Sequence, residues 1–229
     1  MIRSKLVFAT AAMLLTVSLS SVIPISPVSA ATAAGTSSTM LAQGMTSSSV
    51  AELQQNLKTL GFFTYPTATG YFGTITTQAV KDYQKAYSLP QTGMVDAVTN
   101  TSVSHALTKR TLMADALTYL RVPYLWGGAT PQGFDCSGFI YYLFQKHGIP
   151  ATRTTSKALF DSGTSISTST LQPGDLVFFA IATPGVIDHV GYYMGDGQFL
   201  SATRSAGIYP QALMNSYWGP KFMGAKRVY

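Results

Sequence analysis

Apolar positions recur at three- and four-residue spacing through the first two thirds of the chain and at alternate positions near its end. Val50, Leu53, Leu57 and Leu60 predict a helix, capped by Ser48 or Ser49 and stopped by Gly61. Gly70-Tyr71-Phe72-Gly73 reads as a tight turn. Ala79, Val80, Tyr83 and Tyr87 predict a second helix, capped by Thr76. Pro90, Gly93 and Asp96 mark a turn before a third short helix from about Ala97. Leu112, Ala116, Leu117 and Leu120 predict another helix. Phe139, Ile140 and Leu143 form the apolar face of one more, which ends near His147-Gly148. After a polar loop over 162–170 the period shortens, and residues 176–181, 189–194, 198–203 and 222–229 read as strands. Helices first and an antiparallel sheet after is an α+β pattern.

The N-terminus changes the picture. Arg3 and Lys5 precede an apolar run over 6–19, and Val28-Ser29-Ala30 offers a small-residue cleavage site. Residues 1–30 are expected to be a signal peptide, making the protein secreted, with no membrane anchor after removal. Residues 31–46 read as a flexible leader. A helical domain over 47–104 and a second domain over 111–229 follow, with a junction near 105–111 expected to let them move. Of 229 residues, 46% are hydrophobic and 10% charged, so the chain has a real core. Without residues 1–30, thirteen basic residues stand against nine acidic ones, a net +4. That mild excess suits a polyanionic surface, and the scattered charges carry no nucleic-acid motif. A monomer is expected.

The chemistry centres on the single cysteine, Cys136, in Phe134-Asp135-Cys136-Ser137-Gly138. An exported chain with one thiol makes no internal disulfide. A thiol at a helix N-terminus is expected to feel the helix dipole, which favours thiolate and fast alkylation. Phe139, Ile140 and Leu143 share the face of Cys136, so the thiol turns toward the sheet. A nucleophilic cysteine needs a base. His147 lies at the far end of the same helix, roughly 16 Å along the axis, and reads as a partner of the helix C-terminus. His105 lies at the domain junction without a partner pattern. His189 opens a strand and is the expected base. One cysteine and three scattered histidines lack metal-ligand spacing, and no cofactor fingerprint is present, so no metal and no cofactor are expected.

Two resemblances extend this reading. Leu53-Gln54, Leu57, Leu60-Gly61, Gly70-Tyr71-Phe72-Gly73, Thr77, Ala79-Val80, Tyr83-Gln84 and Thr92-Gly93 together resemble the three-helix peptidoglycan-binding domain family. Pro123-Tyr124-Leu125-Trp126-Gly127-Gly128, the Cys136 motif, Leu171-Gln172-Pro173-Gly174-Asp175-Leu176-Val177-Phe178-Phe179 and His189-Val190-Gly191-Tyr192-Tyr193 resemble the NlpC-type cell-wall cysteine peptidases. The second resemblance implies a papain-like α+β domain that hydrolyses the amide between D-γ-glutamate and a diamino acid in peptidoglycan stem peptides. By position it makes Cys136 the nucleophile, His189 the base and Tyr124 an oxyanion neighbour. Asp135 and Ser137 match positions that hold the free amine end of the peptide, and Trp126 matches a pocket-lining aromatic. Asp135 reads equally well as a helix N-cap, and Trp126 as a core residue. Arg153-Thr154 resembles the family's Arg-Thr pair, although Ala151-Thr152 before it departs from the pattern.

The third catalytic position, twelve residues after the base, is most often histidine in that family and is Ser201 here. A three-residue hairpin loop at Gly195-Asp196-Gly197 puts Met194 opposite Gln198, Gly191 opposite Ser201 and His189 opposite Thr203. Ser201 and Thr203 then share the face of His189, whereas a two-residue loop at Asp196-Gly197 would put them on the other face. Thr203, or a side chain from 208–215, is the alternative orienting group. The expected function is a secreted wall endopeptidase bound to peptidoglycan. A catalytically weak wall-binding protein, or amidase or transpeptidase chemistry on the same scaffold, is the alternative.

Overall fold

The computed structural model describes residues 40–229. The expected signal peptide and most of the leader lie outside the described residues. Helix α1 (Ser48–Thr59) is capped by Ser47, one residue before the expected caps, whose hydroxyl accepts from the Val50 N–H at 3.2 Å. Helix α2 (Thr74–Ala86) starts behind Gly73, so Thr76 lies inside it. The buried Thr76 hydroxyl accepts from Gln54 at 2.9 Å instead of capping. Val50, Leu53, Leu57, Phe72, Val80 and Tyr83 form the core of this part.

Helix α3 (Ala97–Ala116) corrects the expected organisation. It begins behind Asp96, whose carboxylate accepts from the Thr99 N–H at 2.7 Å, and runs 20 residues. The two helices expected on either side of a mobile junction are mostly this one, followed by a 3-10 turn (Leu117–Tyr119). No glycine or proline falls inside α3, so nothing interrupts its hydrogen-bond ladder. Val103 and Ala106 pack in the first core, and Leu112, Met113 and Ala116 in the second.

More than the helix joins the two parts. Asp175, fully buried, accepts from Lys109 Nζ at 3.3 Å and from Arg227 Nε and Nη2 at 2.8 and 2.7 Å. Gln172 Nε2 donates to the Ala86 carbonyl at 2.7 Å, and His105 stacks on Tyr229. All the described residues belong to one compact unit.

A small hairpin, β1 (Ala129–Thr130) and β2 (Gly133–Phe134), leads into α4 (Cys136–Lys146). A short helix α5 (Ser156–Ser162) follows. The remaining strands are β3 (Thr164–Ile166), β4 (Leu176–Phe179), β5 (His189–Gly195), β6 (Gln198–Thr203), β7 (Gly207–Ala212) and β8 (Phe222–Arg227). They form one antiparallel sheet in the order β3-β8-β4-β5-β6-β7. The architecture is α+β. The polar loop expected over 162–170 contains β3, and 208–215 contains most of β7. Both are edge strands, largely uncovered on one side, so they lack an apolar alternation.

Phe139, Ile140 and Leu143 of α4 pack against Val190, Tyr192, Leu200 and Ala202 on one sheet face. Val177, Phe179, Phe199, Trp218 and Ala225 form a core on the other.

The β5–β6 hairpin turns on two residues, Asp196 and Gly197, both at positive φ (50° and 68°). It pairs Tyr192 with Leu200 and Tyr193 with Phe199, then shifts register to pair Gly195 with Gln198. The bulge at Met194–Gly195 inserts one residue and offsets the short turn. The register therefore matches that expected for a three-residue loop, by another route. Gly191 lies against Ser201, where a Cβ would come 3.0 Å from the Ser201 Cβ.

Candidate active site

Cys136 is the first residue of α4, and Asp135 is its N-cap. The Asp135 carboxylate accepts from the Gly138 N–H at 2.6 Å, the Ser137 hydroxyl at 3.1 Å and the Gly127 N–H at 3.0 Å. Arg153 completes the cluster, donating to Asp135 at 2.5 Å, to Ser137 Oγ at 2.8 Å and to the Thr154 carbonyl at 2.8 Å. Asp135, Ser137 and Arg153 thus form one hydrogen-bonded group at the helix N-terminus. The glycine loop before it is closely packed: a Cβ on Gly138 would meet the Gly128 carbonyl oxygen at 2.0 Å.

The Cys136 thiol is 8% exposed and lies 3.9 Å from the Asp188 carbonyl oxygen. The N–H of Val190 also favours its thiolate. The thiol therefore rests against the peptide units on either side of His189. It makes no hydrogen bond to the imidazole itself. Burial pushes the thiol up to about 11, outweighing the N–H groups of Val190, Ser137 and Cys136 that favour the anion. The expectation of a thiolate stabilised at rest fails here, because desolvation of a buried sulfur exceeds what a helix N-terminus supplies.

His189 is 5% exposed, and its Nε2 lies 3.0 Å from Ser201 Oγ. Burial lowers the imidazole to about 4, against a smaller upward effect of Asp188. The ring is therefore neutral at pH 7. With Nε2 paired to Ser201, the free nitrogen is Nδ1, the one nearer the main chain on which the thiol rests. Thr203, the alternative partner, donates to the Gly207 carbonyl at 3.2 Å.

One contact was not visible in the sequence. The Trp218 indole stacks on His189, with ring centroids 5.2 Å apart and 24° between planes. Trp218 is itself held by Gln211, which accepts from its Nε1 at 2.5 Å, and by Asn215, whose Oδ1 accepts from its N–H at 2.7 Å. No spacing rule links positions 189 and 218; only the fold brings them together.

Tyr124 is half-buried beside the thiol. Burial raises its hydroxyl, Cys136 and Asp135 add to the rise, and Arg204 opposes it. Trp126 is 79% exposed, which corrects the core reading of that residue. It projects from the Gly127 loop that Asp135 holds. His147 pairs with Asp115 of α3 at 3.0 Å and serves helix packing.

A cysteine that opens a helix, packed on an antiparallel sheet beside a strand that begins with histidine, defines the papain-like class of α+β folds. Within that class, residues 121–227 match the NlpC/P60 family, and residues 46–102 match the family described as "Putative peptidoglycan binding domain". Residues 121–227 thus carry an NlpC/P60 domain, behind a peptidoglycan-binding domain. It is similar to "Probable peptidoglycan endopeptidase LytE" of Bacillus subtilis, 41% identical over 51% of this chain and 33% of that protein. "Murein DD-endopeptidase MepH" of Escherichia coli is 42% identical over 46% of this chain and 41% of its own length. "Gamma-DL-glutamyl hydrolase" of Bacillus subtilis is 36% identical over 51% of this chain and 28% of its own length. Each match thus spans less than half of the relative.

Proposed function

We propose that this protein is a secreted wall hydrolase, a cysteine endopeptidase that cuts the D-γ-glutamyl–diamino acid amide of peptidoglycan stem peptides. The observation that carries it is the Cys136 thiol against the main chain on both sides of His189, with the Nε2 of that histidine bonded to Ser201. The names of the relatives support peptidoglycan as the substrate, and one of them is a γ-glutamyl hydrolase.

The resting pair is a neutral thiol and a neutral imidazole, so the proton moves during attack. The sulfur bonds to the carbonyl carbon while its proton passes to His189 Nδ1. Ser201 accepts from Nε2–H and keeps Nδ1 free for this step. The oxyanion lies near the N–H groups that open α4 and the Tyr124 hydroxyl. His189 then protonates the leaving amine as the C–N bond breaks. Water, deprotonated by the same nitrogen, releases the acyl group. Asp135 and Ser137 hold the amine end of the peptide, Arg153 fixes those two side chains, and Trp126 stands at the rim. The domain over 46–102 holds the wall and raises the local substrate concentration.

The test incubates purified protein with L-Ala–γ-D-Glu–diaminopimelate and with whole muropeptides, followed by mass analysis. Wild type is expected to release L-Ala–D-Glu, and Cys136→Ala to release nothing. Equal, zero turnover in both sinks the enzyme reading and leaves a wall-binding protein. A product cut at a D,D bond, as the name of MepH describes for that relative, overturns the bond assignment alone.

A further inference from the structure

Arg204 lies in the turn between β6 and β7, and that turn is fixed. Gly207 (φ +67°) approaches Val122 so closely that a Cβ would meet its carbonyl oxygen at 2.2 Å. The Arg121 N–H donates to the Ile208 carbonyl at 2.9 Å, and the Ile208 N–H to the Val122 carbonyl at 3.0 Å. These bonds clamp the turn to the segment that carries Tyr124. The Arg204 guanidinium consequently sits over the Tyr124 ring, 5.7 Å from its centroid, and Tyr124 bridges to Phe134, two residues before Cys136.

Two arginines therefore stand near the thiol, and they differ. Arg153 is already paired with Asp135 and bonded to Ser137. Arg204 is exposed and makes no ion pair among the described residues. Residues 1–39 contain no Asp or Glu. A guanidinium over an aromatic ring, paired with no carboxylate of the described residues, is suited to bidentate binding of a carboxylate.

We propose that Arg204 binds a free substrate carboxylate next to the scissile amide and so selects acidic stem peptides over amidated ones. This rests on the stem-peptide reading above. Two carboxylates flank that amide: the α-carboxylate of D-glutamate on the acyl side, and a carboxylate of the diamino acid on the leaving side. Both offer the same chemistry to the arginine.

The test separates binding from turnover. Titration calorimetry measures three tripeptides on Cys136→Ala and on Cys136→Ala/Arg204→Gln. One tripeptide is unmodified, one carries D-isoglutamine, and one carries amidated diaminopimelate. The unmodified peptide is expected to bind the arginine protein about 10- to 100-fold more tightly than the glutamine variant. One of the two amidations is expected to abolish that difference, and which one does identifies the carboxylate. Arg204→Lys in the same background is expected to recover part of the affinity. Equal affinities in the two proteins, a loss that neither amidation removes, or no binding of any peptide overturns the proposal. Turnover by wild type is read separately. Absence of cleavage with the binding pattern intact counts against the endopeptidase reading and leaves the carboxylate site standing.

Discussion

Replacing Ser201 by alanine removes one oxygen from a position that is 1% exposed and leaves the packing in place. The lost bond is the 3.0 Å contact with His189 Nε2. In the resting state the imidazole is neutral, because burial lowers it to about 4. A bond between neutral groups contributes roughly 0.5–1.5 kcal/mol. In the transition state of the proposed mechanism the ring carries the proton from Cys136, and a bond to a charged donor contributes roughly 1.5–3 kcal/mol. The first part appears as lost stability and the difference appears in the barrier. That difference, about 1–1.5 kcal/mol, is a 5- to 15-fold fall in kcat at about 1.36 kcal/mol per decade. The assay is steady-state hydrolysis of the stem tripeptide at pH 7, with urea unfolding of the same preparations. Expected is a lower kcat, a KM within twofold and a stability loss near 1 kcal/mol. An unchanged kcat would refute the reasoning, because the Trp218 stack alone would then hold the ring.

The raised Cys136 thiol leaves about 100-fold less thiolate at pH 8 than an ordinary thiol. Iodoacetamide should therefore label the protein slowly and accelerate above pH 9; a rate already level at pH 8 would contradict this. The lowered imidazole makes stability depend on acid. The unfolded chain binds the His189 proton near 6.5 and the folded protein near 4, so stability is complete above pH 6.5 and falls by about 3 kcal/mol as pH drops toward 4. His189→Gln should lack that part of the slope, and identical urea midpoints against pH in both proteins would show the ring is not buried neutral. Trp218→Ala should admit water to the imidazole and move the acid limb of kcat to higher pH, whereas Trp218→Phe should keep the limb in place; an unmoved limb in the alanine variant makes the indole a packing residue only. Asp175→Asn leaves Lys109 and Arg227 without their shared carboxylate and should destabilise the protein by about 3–5 kcal/mol, which a fall of only a degree or two in Tm would disprove.

Much of the site was legible along the chain because it depends on local periodicity. The α4 face of Phe139, Ile140 and Leu143 turns Cys136 to the sheet, and alternation marks the strand that His189 opens. The Met194–Gly195 bulge was not legible. Both loop lengths fit Gly195-Asp196-Gly197, and only the pairing with β6 selects the bulged form. The continuous helix across the domain junction is hidden in the sequence for a related reason. Residues 105–111 carry no apolar stripe, since the helix there passes from one core to another. The missing stripe looked like a break, yet no glycine or proline breaks the ladder.

The sequence by itself determined the candidate thiol, its helix, the histidine that follows and the order of elements, since each follows from spacing along the backbone. Only the tertiary structure decided the state of the thiol, the stack of Trp218 on His189, the place of Arg204 over Tyr124 and the fixed joint at Asp175. These depend on burial and on side chains brought together from distant positions. Desolvation and long-range packing have no local period to read.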